Sequence, residues 1–236
     1  MTAYDYLTGE NLADGVILDA VVNEQTNNLD FSVAGTENVP IGTPLSYSVK
    51  YKETDERFSA QIDNLLSAAI MYQLCLHGYQ GSILFTPEEE IGQSRSYILY
   101  HLEKSKSDLQ HILVLDTCPL DQDDLLSQGS VVLRNKDALA TFNTDMVVKM
   151  EQILINQHIP YVKIDELIIA ENRLHEQFKQ PLKGLGITEL GQLISHTQGK
   201  YSGATLQMPT IGYHTNQETA SIASIANMYT TLSLYL

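Results

Sequence analysis

The spacing of apolar residues divides the chain into two kinds of segment. Over residues 1–55, short runs such as GVILDAVV, LDFSVAG and PLSYSVKY alternate with Asn, Gly and Pro turns, a pattern that predicts antiparallel strands. From about Arg57 the pattern changes. Ile62, Leu65, Leu66, Ala69, Ile70, Gln73 and Leu74 recur at helical spacing through AQIDNLLSAAIMYQLCLHG, a helix that Gly78 should end. GSILFT, HILVLD, GSVVLRN, IPYVKID and ATLQMPTIGY read as buried-type strands. Between them, IGQSRSYILYHLEK, TDMVVKMEQILINQ (with Thr144 as N-cap), TELGQLISH and TNQETASIASIANMYTTLSLYL read as helices. The last should bury Ile222, Ile225, Ala226, Tyr229 and Leu232. Strands alternating with helices predict an α/β fold, a mainly parallel sheet flanked by helices on both faces. The expected organisation is a β-rich segment over 1–55 and an α/β catalytic-type domain over 56–236.

Composition narrows the partners. With 236 residues and 43% apolar content the chain can bury a substantial core. Its net charge of −15 repels phosphate backbones and anionic bilayers, which argues against nucleic-acid and membrane partners. No apolar run is long enough to span a bilayer, and the opening MTAYDYLTGENLADG lacks the basic and apolar regions of a signal peptide. Cys75 and Cys118 stand in apolar surroundings, outside any CxxC pair. Both are expected to be small core residues in a reducing cytoplasm.

Chemistry enters at strand ends, where open α/β sheets bind ligands. SILFTP runs into Glu88, Glu89 and Glu90; HILVL runs into Asp116; ATLQMPTIGY runs towards His214; Asp63 stands near the start of the first core helix. Carboxylates with one imidazole suit Zn²⁺, Co²⁺ or Mn²⁺, and a nearby unligated Glu suits a general base. Each residue also has an ordinary reading: a solvated acidic loop, a capping His, a turn Asp.

The same residues carry a resemblance. A-Q-I-D-N resembles the A-L-D-D-R motif of the tetrahedral and glutamyl aminopeptidases, dinuclear-metal exopeptidases of the cytoplasm. F-T-P-E-E-E-I-G is similar to their F-T-V-Q-E-E-V-G, and V-L-D-T to A-L-D-V. G-I-T-E-L-G-Q-L, from Gly186 to Leu193, is similar to G-G-T-D-A-G-A-I, and I-G-Y-H-T-N-Q-E, from Ile211 to Glu218, to R-Y-x-H-S-x-x-E. The resemblance implies removal of N-terminal residues from peptide substrates. It implies Glu89 as general base, with Asp63, Glu90, Asp116 and His214 as metal ligands and Glu88 a bystander.

The departures are as specific. The family's H-x-D segment, whose His completes the second metal site, has no counterpart here, so about the first third of a standard member is expected to be absent. Residues 1–55 resemble only the end of the family's lid domain. Leu65 replaces the Arg of A-L-D-D-R, and the stretch around IDELIIAENRLHEQFKQPLKG resembles an insertion. One site keeps Asp63, Glu90 and His214; the second keeps only Asp63 and Asp116. The chain is accordingly expected to form a homo-oligomer or to pair with another polypeptide. The rival expectations are a catalytically inactive relative serving as a subunit or binding module, and a related metal-dependent deacylase.

Overall fold

The computed structural model describes residues 1–46, 48, 51–105, 109, 111–120 and 122–236. They form two compact units, Met1–Tyr51 and Lys52–Leu236. In the first, strand β1 (Thr2–Tyr4) pairs antiparallel with β2 (Asn11–Asp14) and β5 (Leu45–Ser46), while β3 (Val16–Asn23) and β4 (Asn28–Ala34) form a separate antiparallel hairpin. Part of the strand expected over PLSYSVKY lies outside the described residues.

The second unit opens with β6 (Lys52–Glu53) and β7 (Arg57–Ala60), followed by helices α1 (Leu65–Leu76) and α2 (Ser94–Ser105). Next come β8 (His111–Pro119), α3 (Asp123–Ser127), β9 (Val131–Leu133), α4 (Thr144–Asn156) and β10 (Tyr161–Lys163). The chain continues through α5 (Ile164–Gln177), α6 (Glu189–His196), β11 (Ser202–Thr210), β12 (Glu218–Ser221) and α7 (Ile222–Tyr235). The central sheet runs β10-β9-β11-β8. Its β10–β9 and β11–β8 pairs are parallel, and β9–β11 is antiparallel. This is the mainly parallel α/β arrangement expected from the alternating pattern.

Alternation along β11 assigns the two faces. Ala204, Leu206 and Met208 enter one core with Ile70 and Leu74 of α1, Val147, Met150 and Leu154 of α4, and Met228 and Leu232 of α7. On the opposite face, Gly203 meets Leu190 of α6 so closely that a Cβ would lie 3.0 Å from its Cδ1. There Val132, in register with Gln207, packs with Ile164 of α5. A second small sheet, β12-β7-β6, pairs Glu218 with Ala60 and so brings residues flanking α1 to the end of β11.

Several expectations are corrected. GSILFT forms no strand: residues 82–86 have no ladder partner, and Leu84 and Phe85 are exposed. An apolar run becomes a strand only where a neighbour takes its backbone groups; β8, the long strand nearest in sequence, is the sheet edge. The final helix starts at Ile222, because ETAS pairs with β7 and Ser221 caps the helix. Its buried positions are Ser224, Met228, Thr231 and Leu232, with Ala226 exposed, so small polar residues take places an apolar count assigns elsewhere. Asn143, not Thr144, caps α4, its Oδ1 accepting Met146 N–H at 3.0 Å. IPYVKID stops being a strand at Lys163, since Ile164 and Asp165 already belong to α5. Helix α1 begins at Leu65; Ile62, Ile70 and Leu74 are buried, whereas Leu65, Ala69 and Gln73 are exposed. Cys118 is buried as expected, but Cys75 turns outward on α1.

Candidate metal centre

Three loops deliver the site. The first, between β7 and α1, carries Asp63, whose backbone N–H donates to Glu218 Oε2 at 3.2 Å. Glu218 is fully buried, and its Oε1 accepts from Thr210 Oγ1 at 2.5 Å. Glu218 thus ties the Asp63 loop to the end of β11. Beside it, the cis peptide Asp63–Asn64 leads to an Asn side chain whose Nδ2 donates to Leu115 O at 2.8 Å and to Asp116 Oδ1 at 3.4 Å.

The second loop precedes α2. Glu88 adopts φ 60°, a left-handed conformation uncommon outside Gly and Asn, and the chain there closes into a turn. Gly92 N–H donates to Glu89 O at 2.7 Å, and Gln93 N–H to Glu88 O at 3.0 Å. The turn points Glu88 away to accept from Tyr97 Oη at 3.1 Å, leaving Glu89 and Glu90 for the site. The third loop joins β11 to β12 and holds His214, also left-handed at φ 58°. Its ring stacks on Tyr213 with centroids 3.8 Å apart. A bulky residue stays left-handed only where its surroundings hold it, and such residues gather at functional sites.

His214 Nε2 lies 3.3 Å from Asp63 Oδ2 and 3.3 Å from Glu90 Oε2. One side-chain donor atom from each of Asp63, Glu90 and His214 lies within 4.8 Å of the other two, a group that could hold a metal ion. An ion with tetrahedral bonds of about 2.0–2.1 Å sets its ligand atoms roughly 3.3 Å apart, so the two His contacts match the edges of such a polyhedron. Asp63 is largely covered, with 12% of its side chain exposed, while Glu90 and His214 face solvent and leave the centre accessible.

The surrounding electrostatics favour a cation. Glu89, although on the surface, titrates above the usual glutamate range: partial desolvation raises it, then the charges of Glu90, Glu189 and Asp63, against His214. Asp116 is pushed up to about 8, first by burial and next by the charge of Asp63, although the Thr117 N–H at 2.8 Å stabilises its ionised form. Glu218 is raised by burial and by Asp63. The Tyr213 phenol is raised too, by burial and then by Asp63 and Asp116. Among the described residues no Lys or Arg forms an ion pair with any of these carboxylates. Carboxylates that raise one another in this way are relieved by a bound divalent ion.

Of the residues expected from sequence, Asp63, Glu90 and His214 come together, and Glu89 adjoins them. Asp116 contacts the Asp63 loop through Asn64 but stands outside the three-ligand group. Two contributors went unassigned. Glu189, which receives a hydrogen bond from Thr86 Oγ1 at 2.8 Å, acts electrostatically on both Glu89 and Asp116. Its signal was present in G-I-T-E-L-G, immediately after the N-cap Thr188. Tyr213, stacked on the imidazole, had no motif to betray it.

No protein-family model and no curated protein matches this sequence. Solved structures do. An aminopeptidase from the archaeon Desulfurococcus kamchatkensis aligns over 98% of this chain and 66% of its own, with TM-score 0.66 and 13% identity. PhTET1, solved as a dodecamer, aligns over 80% and 54%, with TM-score 0.57 and 14% identity. The Pyrococcus horikoshii TET1 peptidase, able to assemble into a tetrahedron or a large octahedral shell, aligns over 92% and 71%, with TM-score 0.55 and 14% identity. At these identities the likeness is one of fold: the chain has the α/β fold of these aminopeptidases. It spans about half to two thirds of the length of the first two.

Proposed function

We propose that the chain is a metal-dependent hydrolase of the aminopeptidase type, acting on peptides with a free N-terminus. The observation that carries this reading is the approach of Asp63 Oδ2 and Glu90 Oε2 to His214 Nε2, each at 3.3 Å, with Glu89 next in the chain to Glu90. Asp63, Glu90 and His214 would hold one divalent ion, of which Zn²⁺, Co²⁺ and Mn²⁺ suit a mixed carboxylate and imidazole set. Bound there, the ion supplies Lewis acidity. A second ion would have only Asp63 and Asp116 from this chain.

Glu89 is the general base. Its raised pKa brings the carboxylate nearer to neutral pH, where a base accepts a proton from attacking water and returns it to the leaving amine efficiently. Glu218 and Asn64 hold the Asp63 loop, and Tyr213 fixes the plane of the imidazole. Self-association belongs to the same reading, because the fold neighbours include large assemblies. No helix among the described residues is long and apolar enough to cross a membrane; a cytoplasmic location remains part of the proposal.

The decisive experiment is aminoacyl-amide release by the purified protein with Zn²⁺, Co²⁺ or Mn²⁺, beside Glu89→Ala. Glu89→Ala should lower kcat by about 100-fold or more, the usual scale of general-base catalysis. Equal null activity in both proteins, with no metal retained by either, overturns the reading. Acetylated amino acids tested beside free-amine peptides separate deacylase from aminopeptidase.

A further inference from the structure

Helix α1 (Leu65–Leu76) contains no charged residue: its sequence is LLSAAIMYQLCL, in a chain of which 18% is charged. Ser67, Ile70 and Leu74 form its buried face. At 3.6 residues per turn, Leu65, Ala69, Tyr72 and Leu76 fall within about 60° of one another on the opposite side. All four are exposed, Leu65, Tyr72 and Leu76 by 66%, 63% and 60%. The residues that flank this stripe, Ala68, Gln73 and Cys75, carry no charge either. A helix apolar on every side belongs in an interior, and a spacing of four, three and four residues is that of a seam between paired helices.

The stripe is complementary to itself. When two copies of α1 run antiparallel about a two-fold axis midway along it, Leu65 of each faces Leu76 of the other, and Ala69 faces Tyr72. The methyl of Ala69 leaves room for the phenol ring. A parallel pair would set Ala69 against Ala69 and Tyr72 against Tyr72, a gap beside a clash. Charge selects the same face. Each copy carries a net charge of −15, so two copies repel except where neutral surface meets neutral surface.

We propose that this face of α1 is the contact through which two copies of the chain associate, as an antiparallel helix pair. The inference rests on the self-association proposed above and uses none of the proposed chemistry. Association through it should tighten with salt, because screening weakens the repulsion between two acidic copies and leaves the apolar seam intact.

The test is sedimentation velocity of the full chain over a concentration series, which reads mass and not turnover. The wild type should show a monomer–dimer equilibrium that shifts towards dimer as sodium chloride is raised. Tyr72→Glu should weaken it by about 30-fold or more, the scale of a central aromatic contact. Ala69→Phe adds apolar area yet should weaken it by about tenfold, because the new ring collides with Tyr72 of the other copy. Non-specific adhesion would instead strengthen with that change. Crosslinking in a Cys75→Ala background reads the register. Leu65→Cys combined with Leu76→Cys should give a disulfide-linked dimer. Leu65→Cys alone should not, since its two copies lie about 16 Å apart along the axis. Monomer at every concentration, a dimer indifferent to Tyr72→Glu, tighter association of Ala69→Phe, or equal crosslinking of the two cysteine variants each overturns the proposal. An inactive protein that dimerises as described upholds this surface while the hydrolase reading fails.

Discussion

Glu218 and Asp63 are 155 residues apart, yet Glu218 Oε2 accepts the Asp63 backbone N–H at 3.2 Å from a fully buried position. The proposed ligand loop is thereby set by β12 rather than by its own sequence. Glu218→Ala leaves the Asp63 N–H and the buried Thr210 hydroxyl without their acceptor, at a cost of about 2–3 kcal/mol. Loss of such supporting hydrogen bonds typically weakens metal affinity by about 10–100-fold. Glu218→Gln keeps one carbonyl acceptor and should fall between. Zinc titration calorimetry and denaturant unfolding measure both effects, and unchanged zinc affinity in Glu218→Ala would contradict the positioning role.

Neighbouring glutamates should separate cleanly. Glu90→Gln and His214→Ala each remove a proposed ligand and should lose retained metal and activity together. Glu89→Gln should keep metal while losing turnover, since it changes the proposed proton acceptor and not the ligand set. Metal analysis after dialysis reads the difference. Loss of metal in Glu89→Gln to the extent seen in Glu90→Gln would reverse the assignment of roles.

How much of this was legible follows from which interactions are local. Helix α6 was readable because Thr188 caps it and Leu190 and Leu193 repeat at helical spacing. Strand β8 was readable from the apolar run Ile112–Leu115, and β11 from Ala204, Leu206 and Met208 recurring at every second position. GSILFT looked identical in kind, but strand formation depends on a neighbour that no local pattern reveals. Asp63, Glu90 and His214 were found by resemblance to a motif series. Glu189 and Tyr213 escaped because their importance lies in tertiary contact with Glu89 and His214. The exposure of Ala226 and burial of Thr231 reflect a tertiary choice of helix face that apolar counting misplaces.

Asp137 should prove structurally essential. Its carboxylate, 4% exposed, accepts from Leu139 and Ala140 N–H through Oδ1 and from Thr188 N–H and Oγ1 through Oδ2. It thereby fixes the start of α6 and the approach to Glu189. Asp137→Ala strands these donors and should destabilise by about 3 kcal/mol or more in urea unfolding. Asp137→Asn, which keeps one carbonyl acceptor, should cost less. A loss below about 1 kcal/mol for Asp137→Ala would show that water substitutes for the carboxylate.

Hairpin β3–β4 is exposed along nearly its whole length, including Val22 and Leu29 as a cross-strand pair and Phe31 on the same face. Apolar hairpins left open in this way favour association. If the hairpin mediates the proposed self-association, the double substitution Leu29→Lys and Phe31→Lys should shift the protein to smaller species in sedimentation velocity. An unchanged oligomer would exclude this face.

Acid sensitivity should trace partly to one covered ion pair. Lys163 Nζ lies 2.8 Å from Glu151 Oε1, and Tyr161 Oη donates to the same oxygen at 2.9 Å. Burial works against ionising Glu151, but the hydrogen bonds from Lys163 and Tyr161 together outweigh it and hold the carboxyl below the usual glutamate range. Lys163 is likewise held above the ordinary lysine value: burial opposes its charge, and the Glu151 hydrogen bond more than compensates. A carboxyl lowered on folding contributes stability that is present above its unfolded pKa of about 4.3 and disappears as pH falls through the folded value. The lysine remains charged throughout that range in both states, so it adds no slope there. Glu151→Gln should therefore cost about 1 kcal/mol at pH 7 and almost nothing near pH 3, a difference measurable by urea unfolding across the interval. A cost that stays constant with pH would mean that packing, and not charge, holds this corner of the sheet.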